Sequence, residues 1–254
     1  MNYIQATSRG RELQPSLVND TTWMYVRPGA KLAQLTQCAN QMLSTSNKQG
    51  KAPGHVHYMA GIPDLTSKIR DKGYQEVVFM GTPADSVPAL ENEVMKTATM
   101  TKKMGWTPVF CTITPMSLTD WNSPVRTPYL IHFKQYDDMQ VLLEKTIAAA
   151  NHIIRAVNKS NGVYTPNLQN QIVKIHQGKV KYMYNRLTDG CHPNKQVVRQ
   201  WVKIMRRAMT VNDQRKATDP WDQVRTPITD CYVGFPSDES DSDSDCETSH
   251  KRRW

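Results

Sequence analysis

The sequence predicts an α/β fold in which helices pack on a parallel sheet, and three observations predict it. Short apolar runs of strand length alternate with longer amphipathic stretches, the order expected when each strand is followed by a crossover helix. The chain has 254 residues, 39% of them hydrophobic, enough to bury one sizeable core. No internal repeat divides it, so neither a solenoid nor an array is indicated.

The elements follow in order. Residues 2–6 form the first strand, which runs straight into a polar, helix-starting turn, Thr7-Ser8-Arg9-Gly10-Arg11-Glu12-Leu13. A second strand covers 22–27, and a helix from Lys31 places Leu32, Leu35, Cys38, Ala39 and Met42 on one stripe. Residues 55–60 are the third strand, and Glu76 to Met80 is a shorter run of the same kind. The helix over 86–104 is rich in Glu, Met, Lys and Ala and stops at Gly105. A strand at 108–113 comes next. The longest helix, Gln135 to Val157, turns Leu142, Leu143, Ile147, Ala150, Ile154 and Val157 inward. Asn158 to Thr188 reads as a loop or small hairpin, with turn signals at Asn161-Gly162 and Gln177-Gly178 and a weaker strand between Ile172 and Tyr184. The last helix, Asn194 to Met209, buries Val198, Trp201, Val202, Met205 and Met209.

Chemistry concentrates in Asp189-Gly190-Cys191-His192, followed by Pro193-Asn194, which sets a carboxylate and an imidazole three positions apart on one turn. Such a pair is half of a catalytic triad: the Asp fixes the tautomer of the ring, and the ring takes a proton from a hydroxyl. The hydroxyl to bring there is Ser8, at a strand end feeding a helix start, where free backbone N–H groups favour developing negative charge. Each feature also has a plainer job. A D-x-x-H turn can simply bond the backbone, and Ser is a common helix N-cap.

In order and spacing these blocks resemble the SGNH hydrolases, the GDSL-type esterases and lipases, from Ser8 to about Met209. Ala6-Thr7-Ser8 stands in place of the strand followed by Gly-Asp-Ser. Arg27-Pro28-Gly29-Ala30, after Trp23-Met24-Tyr25-Val26, resembles the block whose Gly gives an oxyanion-hole N–H. His57 to Leu65, with Gly61-Ile62-Pro63-Asp64, has the shape of the Gly-x-Asn-Asp block, and Asp189 with His192 matches Asp-x-x-His. The resemblance implies a three-layer α/β/α, flavodoxin-like fold. It also implies ester hydrolysis without a cofactor, with Ser8 as nucleophile, His192 as base, Asp189 as its orienter, and the N–H groups of Ser8 and Gly29 as the oxyanion hole.

Two of the four blocks depart from the pattern. Thr7 replaces an Asp that mainly shapes the turn. Pro63 replaces the Asn whose amide would donate to the oxyanion, and proline has neither that amide nor a backbone N–H. Removing one such donor costs about 100- to 1,000-fold in rate. The rival reading is therefore a binding module, an SGNH-like fold without turnover whose basic surface holds nucleic acid or an acidic protein. Domains of that kind resemble those within proteins of some viruses and mobile genetic elements.

Charge bears on that rival. The chain carries +9 overall, yet Ser237 to Thr248 holds six acids and no base. Residues 1–236 hold 29 bases against 17 acids, about +12, a body that attracts polyanions. Arg199, Lys203, Arg206 and Arg207 form a basic stripe on the last helix that suits a phosphate backbone, or is simply a solvated face. Arg9 and Arg11 beside Ser8 point to an anionic or polar substrate, or merely satisfy the turn. No RNA-binding aromatic motif or Gly-rich phosphate loop is present.

His55 and His57 share a face of the third strand and, with His192, make a weak metal set; buried strand histidines are the commoner case. Five cysteines without CxxC spacing support neither a disulfide framework nor a zinc ribbon. No run is long and apolar enough to span a membrane, and Met1-Asn2-Tyr3-Ile4 lacks signal-peptide features, so a cytosolic or nuclear protein is expected. The expected organisation is one domain over 1–212, an extended segment over 213–236, and an acidic Ser/Asp tail over 237–254. The tail's alternating Ser and Asp offer nothing to bury, so disorder is expected there, and its serines suit an acid-directed kinase.

Overall fold

A computed structural model describes residues 1–71, 74–123, 133–177 and 179–214. The chain divides into two units, Met1–Trp221 and Asp222–Trp254. The expected tail and most of the expected 213–236 segment lie outside the described residues.

The elements are β1 (Asn2–Ala6), a 3-10 helix (Ser8–Leu13), α1 (Gln14–Leu17), β2 (Thr22–Val26), α2 (Leu32–Lys48), β3 (His55–Met59), α3 (Ile62–Leu65), β4 (Ser67–Asp71), β5 (Tyr74–Val78), α4 (Pro83–Lys103), β6 (Thr107–Phe110), α5 (Leu118–Trp121), α6 (Phe133–Ser160), β7 (Val173–His176), β8 (Lys179–Tyr182) and α7 (Lys195–Gln214). The main sheet has the order β2-β1-β3-β6, with all pairings parallel. Ile4 pairs with Met24 on one side and His57 on the other, and β1 is buried along its whole length. Every crossover between these strands carries a helix, the arrangement the alternation of segments predicts.

Successive side chains alternate between two cores. Tyr3, Val56, Tyr58 and Phe110 face a core shared with Leu35 and Leu43 of α2, Val94 of α4 and Ile147 of α6. Ile4, Ala6, Met24 and Met59 face the opposite core, with Leu13, Leu17 and the α7 residues Trp201, Val202 and Met205. The result is the three-layer α/β/α sandwich.

Beyond β6 the sheet edge is closed by side chains. Asn158 of α6 accepts from Phe110 N (2.9 Å) and donates to Phe110 O (2.7 Å). Asn151 does the same for Ile113, at 2.6 and 2.8 Å. Each amide stands in for a strand neighbour, satisfying backbone groups that would otherwise be buried unpaired.

Four expectations need correction. Glu76 to Met80 does not join the parallel sheet: β5 pairs antiparallel with β4, the short connection between them allowing only that direction. Leu142 is exposed; the inward stripe of α6 runs through Tyr136, Leu143, Ile147, Ala150, Ile154 and Val157. Val197, not Val198, is buried in the first turn of α7, and Val198 is half-buried. That helix also runs to Gln214, past the expected boundary at 212, because buried Asn212 accepts from Tyr164 N at 2.7 Å and so remains part of the packed body. The 158–188 segment does contain a hairpin, β7 with β8, turning at Gln177 with φ 49°.

Candidate active site

The site forms at the carboxyl edge of the sheet, where ligands bind in open α/β folds. β1 ends at Ala6, Thr7 N donates to Met59 O (3.1 Å), and Gly10 N donates back to Thr7 O (3.0 Å), so the chain turns sharply and presents Ser8 as the first residue of the 3-10 helix. Thr7, not Ser8, is the capping residue, and its side chain makes no capping bond. Ser8 is thus released from the commonest structural role of a serine at a helix start.

His192 lies 184 residues away in sequence, with Nε2 3.1 Å from Ser8 Oγ. Its Nδ1–H donates to Asp189 Oδ2 at 2.7 Å. Asp189 Oδ1 accepts the backbone N–H groups of His192 (2.7 Å) and Cys191 (3.0 Å), so one carboxylate both shapes the turn and fixes the ring. Burial opposes ionisation of Asp189, but these bonds outweigh it and hold its carboxyl below its ordinary value. With Nδ1 protonated and committed to Asp189, Nε2 of the neutral ring is the acceptor for the Ser8 hydroxyl.

The turn itself is anchored. Ser117 N donates to Gly190 O (2.7 Å), and Thr188 N donates to His192 O (2.8 Å). Gly190 has φ +75°, and a Cβ there would stand 2.8 Å from Ser117 O and 2.9 Å from Trp121 N. Both the backbone conformation and the close approach therefore require glycine. The Trp121 ring supports the imidazole, centroid to centroid 5.5 Å.

Arg9 is buried rather than directed at solvent. Its Nη1 donates to Thr114 O (2.5 Å) and to Thr114 Oγ1, and its Nη2 reaches Pro115 O (3.4 Å) and Cys191 Sγ (3.5 Å). It ties the turn after β1, the loop after β6 and the Asp-His turn together, so its first task is structural. Arg11 is exposed.

Gly29 and Pro63 follow β2 and β3, the two neighbours of β1. Neither lines the cleft at Ser8, whose walls are Ser8, Arg9, Arg11, Glu12, Thr188, Asp189, His192, Pro193, Lys195, Val198 and Arg199. Among the described residues the backbone N–H groups of Ser8 and Gly29 meet no acceptor. Pro63 sits in the first turn of α3, where a proline fits. Gly61, before it, has φ +119°, and a Cβ would press to 2.4 Å on Ile113 Cδ1. Asp64 accepts Leu32 N at 2.9 and 3.2 Å, so the third block caps the helix that follows the second. Burial pushes its carboxyl up to about 6.

Other candidate residues have separate partners. His57 is fully buried, 3.2 Å from Asn2 Oδ1, and burial lowers it to about 3, keeping it neutral. His55 pairs with Asp213 at 3.1 Å. Neither converges with His192, and among the described residues no group of three potential ligands forms a metal centre. Within the basic stripe, Arg206 donates to Ser16 O (2.7 Å) while Lys203 and Arg207 are exposed. The structure brings Arg199 to the Ser8 cleft instead, with Lys195.

Sequence reasoning missed Gly190, Trp121 and the buried course of Arg9. A glycine inside an Asp-x-x-His turn is a signal of close approach that can be read without coordinates. The partners of Arg9, and the Trp121 ring beside His192, lie more than 70 residues away in sequence and leave no local trace.

No family model matches the sequence, and no curated protein matches it by sequence. Solved structures do match by fold. A GDSL-like lipase from Bacteroides thetaiotaomicron VPI-5482 superposes with TM-score 0.55 at 14% identity, over 82% of this chain and 87% of the other. The acetyl xylan esterase AlAXEase gives 0.52 at 14% identity, over 82% and 98%. The chain has the SGNH hydrolase fold, at 14% sequence identity to both of these neighbours.

Proposed function

We propose that this SGNH-fold domain is a serine esterase that cleaves carboxylic esters through an acyl-enzyme on Ser8. One observation carries the reading: the continuous relay from Asp189 Oδ2 through His192 to Ser8 Oγ, at 2.7 and 3.1 Å, on the carboxyl edge of the sheet. The Ser8 proton passes to His192 Nε2 as Oγ attacks the ester carbonyl carbon. Of the two N–H groups expected to hold the oxyanion, that of Ser8 stands at the cleft, while Gly29 lies outside its lining. His192 Nε2–H then protonates the departing alkoxide, and water, deprotonated by the same nitrogen, releases the acid. No step needs a cofactor. The donor absent at Pro63 makes turnover slow, by about 100- to 1,000-fold against a site with a complete hole.

The test is labelling with a fluorophosphonate probe and peptide mapping, with hydrolysis of a short-chain activated ester measured in parallel. Label on Ser8 and loss of turnover in Ser8→Ala support the reading. Label elsewhere, or turnover indifferent to Ser8→Ala and His192→Ala, overturns it.

Pro63 favours a second reading, a polyanion-binding domain without turnover. It expects salt-sensitive binding of a labelled oligonucleotide by anisotropy, weakened in Lys203→Ala and Arg207→Ala.

A further inference from the structure

We infer that the Ser8 cleft selects esters bearing a negative charge beside the scissile bond, an inference that rests on the esterase reading above. The cleft encloses about 520 Å³. Arg11 approaches it from the 3-10 helix, while Lys195 and Arg199, one helical turn apart, approach from α7. Among the described residues Glu12 is the only carboxylate in the lining apart from Asp189, which is committed to His192. Among the described residues Arg11, Lys195 and Arg199 form no ion pair, and all three are exposed.

Unpaired surface cations are common, but here they come from two separate elements and surround one nucleophile. A fourth positive charge lies within the same wall. The guanidinium of Arg9 is 5% exposed, its partners are carbonyls, a hydroxyl and a thiol, and its Nε has no partner among the described residues. A buried cation without a carboxylate projects its potential further than one in water, because little solvent screens it. Pro193 and Val198 supply the apolar part of the lining, enough for a short carbon skeleton. A neutral, long-chain ester gains nothing from this surround and must strip water from three cations. An ester whose acyl or alcohol portion carries a carboxylate or phosphate replaces that water with ion pairs.

The experiment compares kcat/KM for two matched pairs of esters. In the first, para-nitrophenyl hexanoate and mono-para-nitrophenyl adipate differ by a charge on the acyl side. In the second, para-acetoxybenzamide and para-acetoxybenzoate differ by a charge on the alcohol side. The pair with the larger preference identifies the side that faces Lys195 and Arg199. The wild-type protein is expected to favour the anionic member of at least one pair about three- to tenfold at low salt, exposed charge pairs contributing about two- to fivefold each. The ratio should fall toward one in about 1 M salt, where the Debye length is ~3 Å. In the double variant Lys195→Glu, Arg199→Glu it should invert.

Ratios near one in both pairs, or a preference unmoved by salt and by the double variant, overturn the inference while leaving the esterase reading intact. Absence of Ser8-dependent turnover with all four esters overturns the esterase reading, and this inference with it.

Discussion

Gly190→Ala is the most demanding perturbation of the site because it alters one methyl group and touches none of the reacting atoms. At φ +75° an alanine costs about 1–2 kcal/mol in backbone strain alone. Its Cβ would also stand 2.8 Å from Ser117 O, 2.9 Å from Trp121 N and 2.7 Å from Asp120 Cβ. Two of these three atoms are backbone, so the turn must move away, at roughly 1–3 kcal/mol more. Together the loss is about 2–5 kcal/mol, which for a chain of this size corresponds to a fall of roughly 5–15 °C in Tm. The turn that moves carries both Asp189 and His192. A displacement of about 1 Å is enough to cost ~100-fold in kcat/KM. The assay is thermal unfolding of the variant together with ester turnover and fluorophosphonate labelling of Ser8. Gly162→Ala is the control: it has φ +67° but open space where the Cβ would go, so it should lose about 1–2 kcal/mol and no activity. If Gly190→Ala unfolds no earlier than Gly162→Ala and labels Ser8 at the wild-type rate, the close packing of the Asp-His turn is not what positions the imidazole.

Three further predictions follow from the same geometry. Asp189→Asn keeps an oxygen for the two backbone N–H groups but turns an amide N–H toward His192 Nδ1, forcing the proton to Nε2; kcat should fall by about 10,000-fold with little change in stability, checked by ester kinetics beside urea unfolding. Pro63→Asn should raise kcat severalfold or more by restoring a donor, and an unchanged rate would mean that the amide has no oxyanion to meet. Asp64 gives a pH signature. Its folded carboxyl is raised from 3.8 to about 6, so the folded state holds the proton more tightly than the unfolded chain does. Its contribution is full below the unfolded value and is lost as pH rises through about 6, by roughly 1–3 kcal/mol. Asp64→Asn, which still accepts from Leu32 N, should flatten urea-unfolding stability across that window.

The parallel sheet was legible because β1, β2, β3 and β6 are short apolar runs separated by helices of clear period. The β4–β5 hairpin was not, since Ser67-Lys68-Ile69-Arg70-Asp71 is mostly polar and its strand character comes from pairing with β5 rather than from any pattern of its own. Leu142 and Val198 were placed wrongly for a related reason: an apolar residue at the margin of a helical stripe is buried only if a neighbour arrives there. At the site, Ser8, Asp189 and His192 could be named because the spacing of Asp-x-x-His is intrinsic to one turn. The cationic surround could not be read as a unit, because Arg11 and Arg199 meet only through the tertiary fold, and Arg9, near Arg11 in sequence, is buried within the cleft wall rather than exposed at it.

The strand that leads into Ser8 is the first in sequence and stands second in the sheet, while His192 arrives with the turn before α7. Asp213 accepts from Asn2 Nδ2 at 3.1 Å, and Arg206 reaches Ser16 O, so both ends of the described body are fastened to each other. During synthesis, then, Ser8 emerges from the ribosome long before its partner, and an N-terminal fragment holds an ordinary alcohol with no base. The fold thereby acts as its own timer. On the esterase reading, reactivity at Ser8 appears only when the chain beyond His192 has cleared the exit tunnel and docked, which makes the labelling of Ser8 on stalled nascent chains a direct clock for the last step of folding.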